Sequence, residues 1–364
     1  MGYPRKEDIT QACVKEQALA IYDLTIRGAG IFGLSIAWIA VQRGAKVQLI
    51  DPFGPAAGSS GGVVGALAPH APEHWNPKKA FQLDSLLMAK GFWADVEAAS
   101  GASSGYARNG RIQPIADDHA LILARKRAQT AQELWQDHAL WEVIPATGED
   151  WHPHSPAGFV IRDTLSALVH PRQACQALVA ALVAHGVTVK AQGDDAGKVL
   201  WATGVAGLEA LNTGRSRPMG NGVKGQAALL AYDARGLPQL YADSIHVIPH
   251  NDGTVAIGST SERDFTSGTQ TDAMLDDVIA QARAALPVLE DAPVLERWAG
   301  VRPRARSRAP MLGAWPDRPG HFIANGGFKI GFGMAPKIAH VMADLLLEDR
   351  DEGIPDGFRV DQSF

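Results

Sequence analysis

The sequence is poor in several features, and each shortage removes a class of protein. Only two of the 364 residues are cysteine, Cys13 and Cys175, far apart and outside any metal-ligand spacing. They give no disulfide framework and no Cys-rich metal site, and read as ordinary thiols of a reducing cytoplasm. No apolar run reaches the roughly 18 residues that suggest a bilayer-spanning helix. The opening MGYPRKEDITQACVKEQALA mixes charges throughout and lacks the apolar centre of an export signal. An excess of basic residues is missing too. Lys plus Arg is 34 against 39 for Asp plus Glu, a net charge of −5, which speaks against a nucleic acid as partner. There is no internal repeat, no low-complexity tract, and no Ser-His-Asp or zinc-type set. Apolar residues make up 46%, enough for one large domain or two interleaved ones.

What is present starts with DLTIRGAGIFGLSIAWIAVQRGAKVQLID, residues 23–51, which carries G-x-G-x-x-G at Gly28, Gly30 and Gly33. The motif alone is weak; its surroundings give it meaning. The β-type run YDLTI precedes it. A helical stripe of Ile31, Leu34, Ala37 and Val41 follows, with Gly44 placed to end the helix. Then KVQLI reads as a second buried strand and closes on Asp51, eighteen residues past Gly33. Gly28 permits the turn, Gly30 lets backbone approach a pyrophosphate, and Gly33 lets helix and strand pack closely. The helix N-terminus, with Ile31 and Phe32 in its first turn, offers N–H groups to phosphate, and Asp51 offers acceptors to a ribose. NAD and FAD share that adenosine diphosphate half, so the unit does not choose between them.

Downstream, PFGPAAGSSGGVVGALAPHAPE holds seven Gly or Ser residues within 54–65 and predicts a loop without helix or regular strand. Helices are predicted over about 77–99 and 119–141. GFVIRD and ALVHP follow, then a helix, a stop at Gly186 and a strand, then KVLW ending in Ala202-Thr203-Gly204. β-Type segments KGQAALLAY, HVIPH and GTVAIGSTSE come next, then a helix in DAMLDDVIAQARAAL. The strand HFIAN, the turn GGFKIGFG and a last helix close the chain. Nucleotide-type elements thus return after an interruption, and the expected organisation is a nucleotide domain in three pieces with β-rich material between them.

Four separated segments together resemble the D-amino acid oxidase and glycine oxidase group of FAD-dependent enzymes. They are the glycine motif ending at Asp51; GSSGGVVGALAP (58–69); ATG (202–204) with KGQ (224–226) and IPHNDGTVAIGSTSE (248–262); and WAGVRP (298–303) with NGGFKIGFGMAP (325–336). The resemblance implies an α/β fold with an FAD-binding Rossmann-type domain (22–70, 158–215 and 297–364) interleaved with an α+β antiparallel-sheet substrate domain (71–157 and 216–296). Residues 1–21 form an N-terminal extension. Where the family has a β-meander, only QGDDAG separates two strands here.

The resemblance also implies a cofactor and a site. The cofactor is FAD, non-covalent because no cysteine lies near the C-terminal motif. Its contacts are expected at Gly28, Gly30, Ile31, Phe32, Gly33, Asp51, Ser59, Ser60, Gly61, Gly62, Leu67, Ala68, Val189, Ala202, Thr203 and Gly204. The turn Gly326, Gly327, Phe328, Lys329, Ile330 and Gly331 would approach the flavin ring. In the family the arginine of WAGVRP, here Arg302, binds the substrate carboxylate. Arg304, Arg306 and Arg308 read as surface residues. Lys329 aligns with a second carboxylate-binding arginine or with a lysine that serves oxygen reduction. His246 stands where glycine oxidases have a pocket tyrosine, and His250 where they have an arginine. His70 reads as a loop residue. The expected reaction oxidises the C–N bond of a small amine or amino acid by hydride transfer, giving an imine that hydrolyses, with peroxide if oxygen is the acceptor. Three alternatives stay open: the flavin domain of a tRNA-modifying oxidase, a non-catalytic flavoprotein subunit, and a plain NAD dehydrogenase. No integral membrane segment is expected, the setting is cytoplasmic, and homo-oligomerisation stays open.

Overall fold

In the computed structural model residues 22–361 are described; the expected extension 1–21 lies outside them. The first unit is strand β1 (Leu24–Arg27), helix α1 (Ile31–Gln42) and β2 (Val47–Ile50), followed by β3 (Ala66–Leu67) and the long helix α2 (Pro77–Ser100). Next come β4 (Arg111–Pro114), α3 (Asp118–Trp135), β5 (Trp141–Pro145), β6 (Phe159–Asp163), β7 (Ala167–Leu168), α4 (Pro171–Ala184), β8 (Val189–Lys190) and β9 (Lys198–Trp201). The second half holds α5 (Gly204–Asn212), β10 (Gly220–Ala231), β11 (Gln239–Ala242), β12 (Ile245–Pro249), β13 (Thr254–Gly258), α6 (Ala273–Ala285), β14 (Val294–Ala305), β15 (Met311–Ala314), β16 (His321–Asn325) and α7 (Gly331–Glu348).

Two large sheets share these strands. One has the order β15-β16-β9-β1-β2-β8, parallel except for β15. The other has the order β14-β10-β13-β12-β11-β4-β6-β5 and is antiparallel except for the β4–β11 pair. The chain visits the first sheet, leaves it for the second, and returns twice. Strand β6 and all but the first residues of β14, which fall inside the expected nucleotide pieces, lie in the eight-stranded sheet.

Helix α1 is apolar on every side: Ile31 through Ala40 are all buried, beyond the single stripe expected. It lies against α4 and α7, so no flank faces water. Helix α2 starts at the Asn76 cap, whose side chain accepts from the Lys79 amide, and at Pro77, which needs no N–H; it stops at Gly101 with φ +66°. Helix α3 ends at Trp135, six residues before the expected limit, because Gln136 turns to φ +51° and Trp141 joins β5.

The short loop 191–197 does more than link two strands. Thr25 Oγ1 donates to the Ala196 carbonyl at 2.8 Å, Gln48 Nε2 to the Asp194 carbonyl at 2.8 Å, and Arg27 pairs with Asp195 at 2.7 Å. These polar side chains of β1 and β2 cover one sheet face with the loop itself.

Candidate active site

At the nucleotide end each glycine has a measurable reason. Gly28 holds φ +104°, and a Cβ there would come within 2.4 Å of the Ala202 carbonyl oxygen. A Cβ on Gly33 would lie 1.8 Å from the Gly28 carbonyl oxygen, so the α1 start sits directly on the turn. Gly30 is the N-cap, extended, with Ser60 Oγ 3.1 Å from its missing Cβ. The Gly/Ser-rich segment is more ordered than expected: Ser59–Gly61 forms a 3₁₀ turn, and β3 follows it. Ser60 Oγ accepts the Ile31 amide at 3.0 Å. Asp51 ends β2 and its carboxylate accepts from Ala29 N at 2.8 Å and Phe53 N at 2.9 Å. The first turn of α1 carries no acidic residue. A glycine-lined helix N-terminus, with a carboxylate beside it, fits the adenosine diphosphate half of a dinucleotide.

Several of the remaining expected contacts are tied to one another. Asn325 joins two of them: its Nδ2 donates to the Gly204 carbonyl at 2.8 Å, and its Oδ1 accepts from Gly326 N at 2.7 Å. Ala202–Gly204 and the turn Gly326–Gly331 are thereby tied together. A Cβ on Gly327 would lie 2.7 Å from the Phe32 ring, so this turn also meets α1. Leu67 is fully buried and the Ala68 carbonyl accepts from Gln82 Nε2 at 3.2 Å. Val189 pairs with Leu49 at the sheet margin. Helix α7 begins at Gly331 without an acidic residue in its first turn, a setting that favours negative charge.

Three alternate carbonyls of the glycine-rich loop are held from one side. Arg172 Nε donates to Gly61 O at 2.7 Å, His250 Nε2 pairs with Val63 O at 2.9 Å, and Val169 N donates to Gly65 O at 3.0 Å. Arg172 is itself fixed by Glu296 at 2.6 Å. His250 is fully buried, its ring centroid 4.5 Å from that of His170, and burial pushes its pKa down to about 4. It is a neutral clamp on this loop. The sequence offered no signal for either role, because the partners are backbone atoms far away in the chain.

At the other end, β14 presents Arg302 opposite Val223 of β10. Its guanidinium lies flat over Gly225, where a Cβ would sit 2.0 Å from Nη2. Nη1 donates to Ser259 Oγ at 2.8 Å and Nη2 to the Thr260 carbonyl at 2.6 Å; Nε is buried without a partner. Burial draws its pKa to about 10, against the pull of Glu262, so it stays charged at neutral pH. Behind it, buried Lys224 pairs with Glu262 at 3.2 Å and Asp272 at 3.1 Å, and Gln226 Nε2 donates to both acids. The KGQ and GSTSE segments thus build a seat for the arginine, a role their composition did not reveal.

His246 pairs across the sheet with Gly258, one residue before Ser259. Its ring is 4.7 Å from Tyr241, and its Nδ1 is buried without a partner. Burial, then the charges of Arg111 and Lys329, lower its pKa to about 3. It is therefore neutral throughout the physiological range. Lys329 lies at the solvent edge of the turn, its pKa lowered by partial desolvation and by Arg302. The Phe328 ring centroid is 5.8 Å from the Arg302 Cζ and 5.9 Å from the Lys329 Nζ. Arg302, Lys329 and His246 thus share one electrostatic neighbourhood at the turn. Of the arginines after Arg302, Arg308 is exposed as expected, whereas Arg304 is half-buried; both line a cavity there, together with His70. Alternation of Arg302 and Arg304 along β14 was the available signal for Arg304.

Comparison with known proteins agrees with this geometry. A family model described as FAD dependent oxidoreductase matches residues 23–345. The bifunctional protein ThiO/ThiG of Synechocystis is 29% identical, covering 90% of this chain and 52% of its own length. The chain thus spans about half the length of that relative. Glycine oxidase of Pseudomonas putida is 27% identical over 89% of this chain and 94% of its own. The crystal structure of glycine oxidase from Geobacillus kaustophilus superimposes with a TM-score of 0.80 at 19% identity, covering 93% of this chain and 98% of that one.

Proposed function

The chain belongs to the FAD-dependent oxidoreductase family, and on that premise we propose that it oxidises the C–N bond of a small amine or amino acid. The observation that carries this reading is the seating of Arg302 on Gly225, beside a glycine turn that also meets the nucleotide cradle. Relatives named glycine oxidase support the substrate class.

When bound, FAD supplies the two-electron acceptor for a hydride from the substrate α-carbon, leaving an imine that water hydrolyses. The cradle Gly28–Gly33, Asp51, the loop Ser59–Ala68, Val189 and Ala202–Gly204 would hold its nucleotide half, and Gly326–Gly331 with the α7 N-terminus would stabilise negative charge on its ring. Attachment is non-covalent: that turn has no cysteine, and Cys175 is buried in α4 with its thiol pushed up to about 12. Arg302 grips the substrate carboxylate through its two terminal nitrogens and so fixes the α-carbon. Lys329 adds positive potential at the same place. Hydride loss needs an uncharged amine, and two neighbouring cations favour the deprotonated form. His246, being neutral, can exchange a hydrogen bond with that amine without repelling it. No helix of the described residues is long and apolar enough to cross a membrane, and we place the enzyme in the cytoplasm.

The test is an anaerobic titration of the purified, FAD-loaded protein with glycine, sarcosine, D-alanine and other small amines. Bleaching of the visible flavin bands by at least one is expected, and stoichiometric peroxide on admitting air marks an oxidase. If none bleaches the flavin, amine oxidation is wrong.

A further inference from the structure

Resting on the amine-oxidation reading, we propose that the substrate carries a second anionic group, a carboxylate or phosphonate, and that the cavity beside Phe328 receives it. That cavity measures about 200 Å³, and its walls include His70, Lys78, Arg304, Arg308, Phe328 and Ile330. No Asp or Glu lines it. Lys78 reaches it from the first turn of α2, Arg304 from β14, and Arg308 from the following turn, where φ is +59°. Among the described residues none of these three cations has a carboxylate partner. Lys78 Nζ donates to the Arg308 carbonyl, and the Arg304 guanidinium lies 5.4 Å from the Phe328 ring centroid. Their charges press on one another: Lys78 is drawn down by burial and Arg308, and Arg304 by burial, then Arg308 and Arg263. The fold keeps three like charges around one small volume without an internal counter-charge, an arrangement that an incoming anion relieves.

The cavity adjoins the site already described: Gly326, Gly327 and Phe328 of the flavin-facing turn are among its walls, and the Phe328 ring is the neighbour it shares with Arg302. Arg302 and Arg304 are alternate residues of one strand, so their side chains leave the same face about 7 Å apart. Both guanidinia flank the Phe328 ring, at 5.8 and 5.4 Å. A molecule with one carboxylate on Arg302 and a second acid group a few bonds further along its chain is therefore of the size to offer that group to Arg304. A simple monocarboxylic amino acid meets Arg302 and leaves the other cations unanswered. An amino dicarboxylate or an N-carboxymethyl amino acid meets both.

The same anion chemistry is offered by a free inorganic anion, and the test separates the two. FAD-loaded protein is titrated calorimetrically with acetate, succinate and inorganic phosphate at fixed pH and ionic strength. Succinate, with two carboxylates on one molecule, is expected to bind one per chain and at least tenfold more tightly than acetate. Arg308→Gln and, independently, Lys78→Gln are each expected to remove most of that preference. Equal affinity for succinate and acetate overturns the proposal, as does a preference that survives both substitutions. Phosphate binding that depends on Arg308 but does not compete with succinate assigns the cavity to a free anion and overturns the substrate claim. A succinate preference in a protein whose flavin no amine bleaches supports the anion pocket while overturning the amine reading, so the two failures are distinct.

Discussion

Replacing Gly225 by alanine probes the substrate end with one methyl group. The new Cβ would stand 2.0 Å from Arg302 Nη2, 2.3 Å from Cζ and 2.6 Å from Nη1. All three atoms belong to the tip of a flexible side chain, so the guanidinium gives way and the strand does not. It must leave its bonds to Ser259 Oγ and Thr260 O and cannot present both terminal nitrogens to a carboxylate as before. Relief by an off-rotamer arginine costs on the order of 1 kcal/mol, so the fold survives. Two charge-assisted hydrogen bonds to substrate, at about 1.5 kcal/mol each, are worth about 3 kcal/mol, or roughly 150-fold in affinity. A misplacement of 1 Å at the reacting centre costs about 100-fold by itself. The expected result is a drop of roughly two orders of magnitude in kcat/KM for a carboxylate-bearing amine and in acetate affinity by calorimetry. The urea midpoint stays close to that of the unsubstituted protein, and a carboxylate-free amine loses far less. A folded variant that binds acetate within twofold of the original, or that loses both amine types equally, refutes the seating of Arg302 as the carboxylate anchor.

The remaining expectations concern the cofactor end and acid stability. Gly33→Ala places a methyl 1.8 Å from the Gly28 carbonyl oxygen and is expected to cost about 3 kcal/mol or more in urea unfolding, with FAD lost. Gly91→Ala, on the exposed side of α2 with nothing within 4 Å, is expected to stabilise by roughly 0.5–1 kcal/mol. Arg172→Gln removes a charged bond to the Gly61 carbonyl and should weaken FAD binding about tenfold in apoprotein titrations; unchanged affinity would show that the loop needs no clamp. His250 has a folded pKa of about 4 against 6.5 when unfolded. Acidification from pH 6.5 to 4 therefore loads protons on the unfolded chain first and removes about 3 kcal/mol of stability. His250→Gln keeps a donor for Val63 O and should flatten the fall between pH 7.5 and 4.5 by about that amount.

The nucleotide end was legible because its demands are local. A left-handed φ at Gly28, a close contact at Gly33 and an acid closing the second strand all lie within one short stretch, and each restricts residue type. The turn at 326–331 was legible for the same reason. Strands β4, β11 and β15 were not, since RIQP, QLYA and MLGA are four residues each and owe their form to distant partners. Arg302 stood out by resemblance, but its seat did not: Gly225, Ser259 and Thr260 meet it only through strand pairing. Arg304 looked like a surface charge, and exposed Arg308 gave no sign of a cavity, because one assembled from α2, β14 and the C-terminal turn has no footprint in any one segment. His250 appeared interchangeable with His246 as a histidine near a strand, and only burial and the Val63 contact separate them.

The return of the chain to its first sheet has a consequence for synthesis. Leu24 pairs with Val47 almost at once, yet its other neighbour is Lys198. At roughly 5–20 residues per second a ribosome takes about ten to thirty-five seconds to deliver it. Helix α1 waits longer still, because α7 is among the last segments made. During that interval a largely apolar helix and an open strand edge stand exposed on the nascent polypeptide. Chaperone shelter before termination, and aggregation where it is absent, are built into the order in which this fold is written.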